Sequence, residues 1–522
     1  MKNQNQILEF LGIKALDDNN LQIQSLYLDS RRCDDKSAFI ALKGQTTDGN
    51  KYIANVLAKG VRLVLSDNPK LANGENIFFL DNLKDRLSEL AKWFYDYRKP
   101  QNIIGITSTN GKTSISNYIA QFLDLSSQKT LLLGTNGNGI YPVLKESTHT
   151  TLDVLSLYEV IFRFNSSDKV LHRLASQSTH SHFDNLSDYK GELKNLVMEV
   201  SSHSLDQKRV AGLDFDIAVF SNLSHDHLDY HKTMDNYFEA KAKLFKFKSL
   251  KKAVINIDDE YGQKLCEICD CDVITVSLKS KNAYVYISVK NIHNMQTSFD
   301  LYVSQNYIGT YQTSLVGEFN LMNLGLSLVA LYGYVAREQL LASIVKIKPV
   351  KGRMEIIDLD NSAKVIIDYA HTPDALEKAL QTLKQYSKSN LWCIFGCGGD
   401  RDATKRPKMA QIAEIYANKI VVTEDNSRFE NIENIFIDIK KGFNHPEKHI
   451  FITSREKAIK YSIENASQGD IILLAGKGHE CYLDKNGFKE HFDEREVIAE
   501  YKKYSLQNLK GNILKHYGEI ND

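Results

Sequence analysis

The chain has 522 residues with 65 basic and 65 acidic side chains, 15 histidines, seven cysteines and seven prolines. Its even charge requires neither a nucleic acid nor an anionic membrane as partner, and no apolar run reaches the ~18–20 residues of a membrane span. An odd number of cysteines in a long chain suits reduced thiols, and residues 1–10 lack the basic and apolar regions of a secretory signal, so a cytoplasmic protein is expected.

At this length about three domains of ordinary size are expected. Residues 1–99 carry short apolar runs at 26–28, 38–42, 63–65 and 77–80, which predict strands of a small α/β unit. The Lys99-Pro100 step marks its end, since proline breaks regular structure. Next comes Ile103-Ile104-Gly105-Ile106-Thr107, a β-branched run that predicts a buried strand. Ser108-Thr109-Asn110-Gly111-Lys112-Thr113 follows it, and Ile115, Ile119, Phe122 and Leu123 then recur at helical spacing through 125. A strand, a tight glycine loop and a helix N-terminus aim backbone N–H groups and the helix dipole at one point, which suits an anion. Lys112 is placed for the β- and γ-phosphates of ATP and the Thr113 hydroxyl for Mg²⁺. The generic phosphate-loop pattern asks for a glycine five residues before Gly111, where Ile106 stands.

The middle part, residues 100–349, holds two more apolar strands, at 195–200 and 217–220. Each runs into a polar cluster: Glu199-Val200-Ser201-Ser202-His203 after the first, and Asn222-Leu223-Ser224-His225-Asp226-His227-Leu228-Asp229-Tyr230-His231 after the second. A carboxylate and several imidazoles beside a Mg·ATP loop can ligate metal or position charge. On the residues alone, a hydrogen-bonded loop network explains the cluster equally well. A helix over 237–245 carries Lys241 and Lys243, and lysines on a helix are ordinarily solvated. Residues 164–194, rich in Ser and His, read as a surface loop. Cys266, Cys269 and Cys271 lack the second cysteine pair or histidine of a metal site and read as plain thiols. The last part, residues 350–522, alternates strands at 365–367, 392–395, 420–422 and 471–474 with amphipathic helices such as 374–386. Such alternation predicts parallel sheets covered on both faces, with ligands at the carboxyl ends of the strands.

Taken together, these motifs resemble the Mur ligases of peptidoglycan synthesis, most closely the MurE type. The likeness spans nearly the whole chain. It runs from Leu28-Asp29-Ser30-Arg31 and Gly44-Gln45-Thr46-Thr47-Asp48-Gly49 through Thr109-Asn110-Gly111-Lys112-Thr113, Thr150-Thr151, Met198-Glu199-Val200-Ser201-Ser202-His203 and Asp226-His227-Leu228-Asp229-Tyr230-His231. It continues through Gly352-Arg353-Met354-Glu355, Asp368-Tyr369-Ala370-His371-Thr372-Pro373-Asp374, Gly398-Gly399-Asp400-Arg401, Asp425-Asn426-Ser427-Arg428 and Gly476-Lys477-Gly478-His479-Glu480.

The resemblance implies three domains. These are a small α/β domain for a UDP substrate over 1–99, a P-loop ATPase-like domain with a parallel sheet over 100–349, and a Rossmann-like domain for the amino acid over 350–522. It implies a monomeric, ATP-dependent ligase that adds meso-diaminopimelate to UDP-N-acetylmuramoyl-L-alanyl-D-glutamate. By the same likeness, Leu28, Ser30, Gln45, Thr46 and Thr47 hold the uridine diphosphate. Thr150, Thr151, Ser201, Gln207 and Arg209 hold the sugar–peptide part. Thr109 to Thr113 with Ser114, Asn320, Asp368 and His371 surround ATP. Thr113 and Glu199 ligate one Mg²⁺, and His227 ligates a second together with Lys241 carbamylated by CO₂ to N6-carboxylysine. Arg401, Asp425, Asn426, Ser427, Arg428, Gly476 and Glu480 hold the amino acid, Arg428 pairing with the distal carboxylate that distinguishes diaminopimelate from lysine.

Three departures from the family pattern stand out. Ser108 replaces a glycine, Ser427 replaces the proline that would restrain the arginine loop, and the stretch around 164–194 is longer than usual. The implied reaction activates the D-glutamate carboxylate as an acyl phosphate, which the incoming amine then attacks; closure of the C-terminal domain is expected. The alternatives are L-lysine as acceptor, a MurF-type or folylpolyglutamate-type ligase, and an inactive nucleotide-binding scaffold. The last would have lost Lys112, Glu199, His227 or Lys241, and all four are present.

Overall fold

The computed structural model describes residues 2–15, 21–44, 47–147, 149–165, 193–293 and 295–503. Contacts divide the chain into two compact units, Met1–Thr275 with Leu326–Val335, and Val276–Gly325 with Ala336–Asp522.

Among its described residues the first unit holds a small parallel sheet, the central strands of a larger one and the short antiparallel pair Lys2–Asn3 with Gln22–Ile23. The small sheet orders the strands Ser25–Tyr27, Ser37–Ala41, Leu63–Ser66 and Ile77–Phe79 side by side, all parallel. These strands are short and apolar on both faces, so each face needs its own cover. Leu26, Ala38 and Leu63 enter the large core, while Phe39, Ala41 and Val64 pack with Val56 on the other side. The helix Leu83–Phe94 closes the large core with Leu83, Leu87, Leu90, Ala91 and Phe94, one stripe at helical spacing. On its flank Trp93 stacks against Phe10 with ring centroids 4.3 Å apart.

In the larger sheet Asn102–Thr107 lies centrally, between Asn195–Glu199 and Ile217–Phe220 and parallel to both. All three strands are almost wholly buried, the condition under which continuous apolar runs are stable. Parallel pairing brings their carboxyl ends to one edge. The helix Lys112–Leu125 returns over the sheet on Ile115, Ile119, Phe122 and Leu123. Thr130–Gly134 and Gly137–Ile140 form an antiparallel hairpin at one edge.

The second unit has a sheet ordered Glu355–Asp358, Lys364–Asp368, Ile471–Ala475, Leu391–Phe395, Lys419–Val422, Ile450–Phe451, parallel except for its first strand. Pro373–Tyr386, Lys405–Tyr416 and Ile432–Lys440 cover one face and Arg455–Glu464 the other. Trp392 is buried in this unit and donates Nε1–H to Asp470 Oδ2 at 2.9 Å.

Several expectations are corrected. The sheets are not purely parallel. Besides the edge strands above, Val285–His293, Gln296–Val303 and Asn306–Thr313 form an antiparallel meander. Its alternating polar residues reflect half-exposed strands. The surface loop does not begin at 164. Phe164 is buried in the last turn of the helix Val154–Asn165, and Leu193 is buried ahead of the next strand. Residues 166–192 of that loop lie outside the described residues, as do Gln45 and Thr46. The lysine-bearing helix spans Met234–Ala242 and tightens into a 3₁₀ turn, Lys243–Lys246, so Lys241 faces inward and Lys243 outward.

Candidate active site

At the carboxyl edge of the larger sheet, the loop after Asn102–Thr107 is held from two sides. Thr109 N–H donates to Asn222 O at 2.8 Å and Asn110 N–H to Asn222 Oδ1 at 3.0 Å, while Asn222 Nδ2 returns a bond to Asn110 O at 2.9 Å. Thr109 Oγ1 lies 3.2 Å from Tyr237 Oη and accepts from Ser224 N–H at 3.0 Å. Gly111 caps the helix Lys112–Leu125, and Thr113 and Ser114 are buried in its first turn. Neighbouring strand ends thus hold the loop at the helix N-terminus, where an anion is favoured.

Two lysines meet at one carbonyl. Lys112 Nζ donates to Ser108 O at 2.8 Å and to Thr109 O at 3.0 Å, and Lys241 Nζ donates to the same Ser108 O at 2.8 Å. Lys241 is 1% exposed and its ammonium stands 4.6 Å from the Tyr237 ring centroid. Burial, reinforced by the charge of Lys112, holds the Lys241 amine well below the usual lysine range.

Glu199 is buried at the end of the adjacent strand. It accepts from Thr113 Oγ1 at 3.1 Å, from Thr135 Oγ1 at 3.0 Å and from Thr135 N–H at 2.8 Å. A side chain at Gly134 would put Cβ 2.3 Å from Glu199 Oε1, so glycine is required there. The Thr113–Glu199 pair joins a hydroxyl and a carboxylate at the phosphate end of the loop, a donor set that fits Mg²⁺. His227 caps the short helix Leu228–His231 in the left-handed region (φ 53°), its Nε2 3.4 Å from Asp226 Oδ2. Burial outweighs that carboxylate and pushes the His227 imidazole down to about 4, keeping a ring nitrogen unprotonated. His203 stands edge-on to it at 4.9 Å.

Behind Glu199, Thr151 Oγ1 donates to Glu199 O at 2.9 Å and accepts from Ser201 N–H at 3.1 Å. Thr150 Oγ1 lies 3.3 Å from Thr135 Oγ1. Arg209 donates to Thr151 O at 3.3 Å and grips Gln207 Oε1 with Nε at 2.9 Å and Nη2 at 2.6 Å. Burial, followed by the charge of Arg209, pushes the His149 imidazole down from its ordinary value. Ser30 O accepts from Lys59 Nζ at 2.8 Å, and Thr47 O closes a turn with Gly44 N–H at 2.9 Å.

The second unit gathers its own cluster. Asp425 and Asn426 are buried after Lys419–Val422. Asn426 Nδ2 donates to Glu480 Oε2 at 2.9 Å, and Lys477 Nζ bonds Asn426 Oδ1 at 3.0 Å and Glu480 Oε2 at 2.8 Å. Arg428 Nη1 rests on Gly399 O at 2.6 Å. Among the described residues its Nε and Nη2 meet no acceptor. The Arg428 backbone is tied to the hairpin Tyr482–Lys485 and Phe488–His491, donating to Asp484 O at 2.9 Å and accepting from Asn486 N–H at 2.6 Å. Gly476 lies against the Asp425 carboxylate, Ser427 is half-buried and Arg401 is exposed. Asp368 accepts from Met354 N–H at 2.8 Å and Ala370 N–H at 2.9 Å, burial raising its carboxyl against the pull of Arg353. His371 rests on Tyr369 O at 2.7 Å, and Asn320 is held separately, donating to Val316 O at 2.9 Å.

The sequence matches three family descriptions in order: "Mur ligase family, catalytic domain" over 22–95, "Mur ligase middle domain" over 106–331 and "Mur ligase, glutamate ligase domain" over 352–478. It is 38% identical over 501 residues to the UDP-N-acetylmuramoyl-L-alanyl-D-glutamate–2,6-diaminopimelate ligase of Haemophilus influenzae, covering 93% of this chain and 97% of that one. The chain belongs to the Mur ligase family. Mur ligases are ATP-dependent and use Mg²⁺, and the three-domain α/β architecture of the family is present here. A solved structure of another UDP-N-acetylmuramoyl-L-alanyl-D-glutamate–2,6-diaminopimelate ligase superimposes with a TM-score of 0.63 at 35% identity, covering 96% of this chain and 99% of that one. A MurF ligase from Thermotoga maritima in complex with ADP gives 0.61 at 17% identity over 94% and 100%, which is a likeness of fold alone.

Thr135, Tyr237 and Lys477 belong to these clusters and are not among the residues expected from the sequence. Thr135 had no motif. Tyr237 opens the predicted 237–245 helix, and Lys477 stands in Gly476-Lys477-Gly478-His479-Glu480, where a lysine between two glycines after an apolar strand is the readable sign of a buried side chain.

Proposed function

We propose that this Mur ligase joins meso-diaminopimelate to the D-glutamate of UDP-N-acetylmuramoyl-L-alanyl-D-glutamate in peptidoglycan precursor synthesis. The observation that carries the reading is the Arg428 fork. One nitrogen is anchored on Gly399, while Nε and Nη2 are left for a carboxylate, with Asn426 and Glu480 alongside. The activity named for the 38%-identical relative supports it.

Leu28, Ser30, Gln45, Thr46 and Thr47 take the uridine diphosphate, and Thr150, Thr151, Ser201, Gln207 and Arg209 take the sugar–peptide. Asn320, Asp368 and His371 take the adenosine side of ATP. Lys112 and the loop amides hold the phosphates. Thr113 with Glu199, and His227 with carbamylated Lys241, would hold two Mg²⁺, which when bound offset the phosphate charge. A neutral Lys241 amine adds CO₂ and releases a proton, turning a repelled cation into an anion beside Lys112.

The D-glutamate carboxylate attacks the γ-phosphorus, giving acyl phosphate and ADP, with Lys112 neutralising charge as the bond to the β-phosphate oxygen breaks. The amine of the amino acid then attacks the acyl carbon and phosphate leaves. Arg401 and Arg428 hold the acceptor's two carboxylates. Asp425, Glu480 and the Gly476 carbonyl face its ammonium groups, and Ser427 shapes the turn.

Lysine lacks the distal carboxylate and would leave the Arg428 charge unpaired. Losing a hydrogen bond to a charged group costs about 1.5–3 kcal/mol, roughly ten- to a hundredfold in specificity. The test is kcat/KM for both amino acids in a phosphate-release assay, with Arg428→Ala beside the wild type. Strong preference for diaminopimelate, lost in the variant, is expected; equal use of lysine by the wild type overturns the reading.

A further inference from the structure

Two loops carry the arginines assigned to the acceptor's carboxylates: residues 398–401, with Arg401, and residues 426–430, with Arg428. The structure welds these loops together through a side chain that touches neither arginine. Arg406, in the helix Lys405–Tyr416, is 1% exposed. It meets Glu430 as a two-pronged pair, Nη1 to Oε1 at 2.6 Å and Nη2 to Oε2 at 2.6 Å, and also donates to Asp438 Oδ2 at 2.9 Å and Gly398 O at 3.2 Å. Such pairs fix geometry as well as charge.

Glu430 Oε2 also accepts from Asp400 N–H at 3.0 Å, and the Asp400 carboxylate accepts from Phe429 N–H at 3.0 Å. Gly399 N–H donates to Asn426 O at 2.9 Å, and Arg428 Nη1 to Gly399 O at 2.6 Å. Asp400 and Arg428 both hold φ 51°, a left-handed conformation that non-glycine residues keep only when the surroundings impose it. The loops touch at backbone distance: a Cβ at Gly399 would lie 2.0 Å from Ser427 O and 2.9 Å from Glu430 Cβ. Residues 398–400, next to Arg401 in sequence, are thus held against residues 426–430 by Arg406, Glu430 and the glycine between the loops.

We propose that Arg406 and Glu430 are positioning residues that fix the spacing between Arg401 and Arg428, so that the enzyme selects its amino acid by the separation of two carboxylates. The inference rests on the acceptor assignment above. A displacement near 1 Å at a positioning contact costs up to about a hundredfold, and the loss falls on the amino acid alone.

The experiment measures kcat and KM for meso-diaminopimelate, L-lysine, ATP and the nucleotide substrate in wild type, Glu430→Gln, Arg406→Lys and Gly399→Ala. Glu430→Gln and Gly399→Ala are expected to raise the KM for diaminopimelate about tenfold or more. They should leave the KM for ATP and nucleotide within about twofold and narrow the preference over lysine. Arg406→Lys, which keeps the charge but not the fork, should fall between. Where Glu430→Gln fails to fold, Arg406→Lys carries the test, because it keeps the buried charge while removing the two-pronged contact. Variants that keep the wild-type preference, or that raise all KM values alike, overturn the inference while the acceptor assignment stands. A wild type indifferent to the distal carboxylate overturns both.

Discussion

At the scale of single residues, the site is organised around the Ser108 carbonyl, which takes bonds from both Lys112 and Lys241 at 2.8 Å. Two ammonium groups on one acceptor repel, and burial together with the Lys112 charge lowers the Lys241 amine well below the usual lysine range. Lys241→Ala should therefore lower turnover at least about a hundredfold while affinity for the nucleotide substrate survives, with partial recovery in acetate. Phosphate release and calorimetric binding check this, and full activity in the variant refutes carbamylation. Ser108 itself carries a buried hydroxyl with no hydrogen-bond partner. An unmet buried hydroxyl costs about 1–3 kcal/mol, against about 0.5–1 kcal/mol for the added freedom of glycine. Ser108→Gly should accordingly melt no lower than wild type and turn over at an equal or slightly higher rate; a clear loss of thermal stability would contradict it.

At the scale of elements, the parallel strands and the loops at their ends were legible because each is a continuous apolar run closed by a polar cluster. Thr109 to Thr113, Glu199 and His227 could be placed on one sheet edge for that reason. The meander Val285–His293, Gln296–Val303 and Asn306–Thr313 was not, since residues such as Lys290, Asn291 and Asp300 interrupt the apolar pattern and its pairing is set by neighbours distant in sequence. Lys241 shows the same limit. Helical spacing says nothing of which face is covered, and only the likeness to the Mur ligases singled it out. Arg406 and Glu430 stayed invisible because the carboxylates that Arg406 pairs with, Glu430 and Asp438, lie 24 and 32 residues away, a distance no local pattern encodes.

At the scale of the whole molecule, acid should destabilise the fold before the carboxylates titrate. The His479 ring is largely buried with Nδ1 unpartnered, and burial, aided by Arg353 and Arg495, pushes it down to about 3. The unfolded chain takes up this proton near pH 6.5, whereas the folded chain refuses it until about 3. The stability it contributes is whole above pH 6.5 and drains away as pH falls through that window, at up to about 1.4 kcal/mol per pH unit. Melting temperatures between pH 7 and 4 should fall more steeply for wild type than for His479→Gln; parallel curves would show that the histidine takes no part.

The chain's two tryptophans fall one to each compact unit, Trp93 against Phe10 and Trp392 bonded to Asp470. Each unit therefore carries a private fluorophore. Trp93→Phe and Trp392→Phe proteins emit from one unit at a time, so a denaturant titration of the pair reads out whether the units melt as one cooperative body or in succession. Quenching by a nucleotide or an amino acid then reports which unit received it, without any added dye.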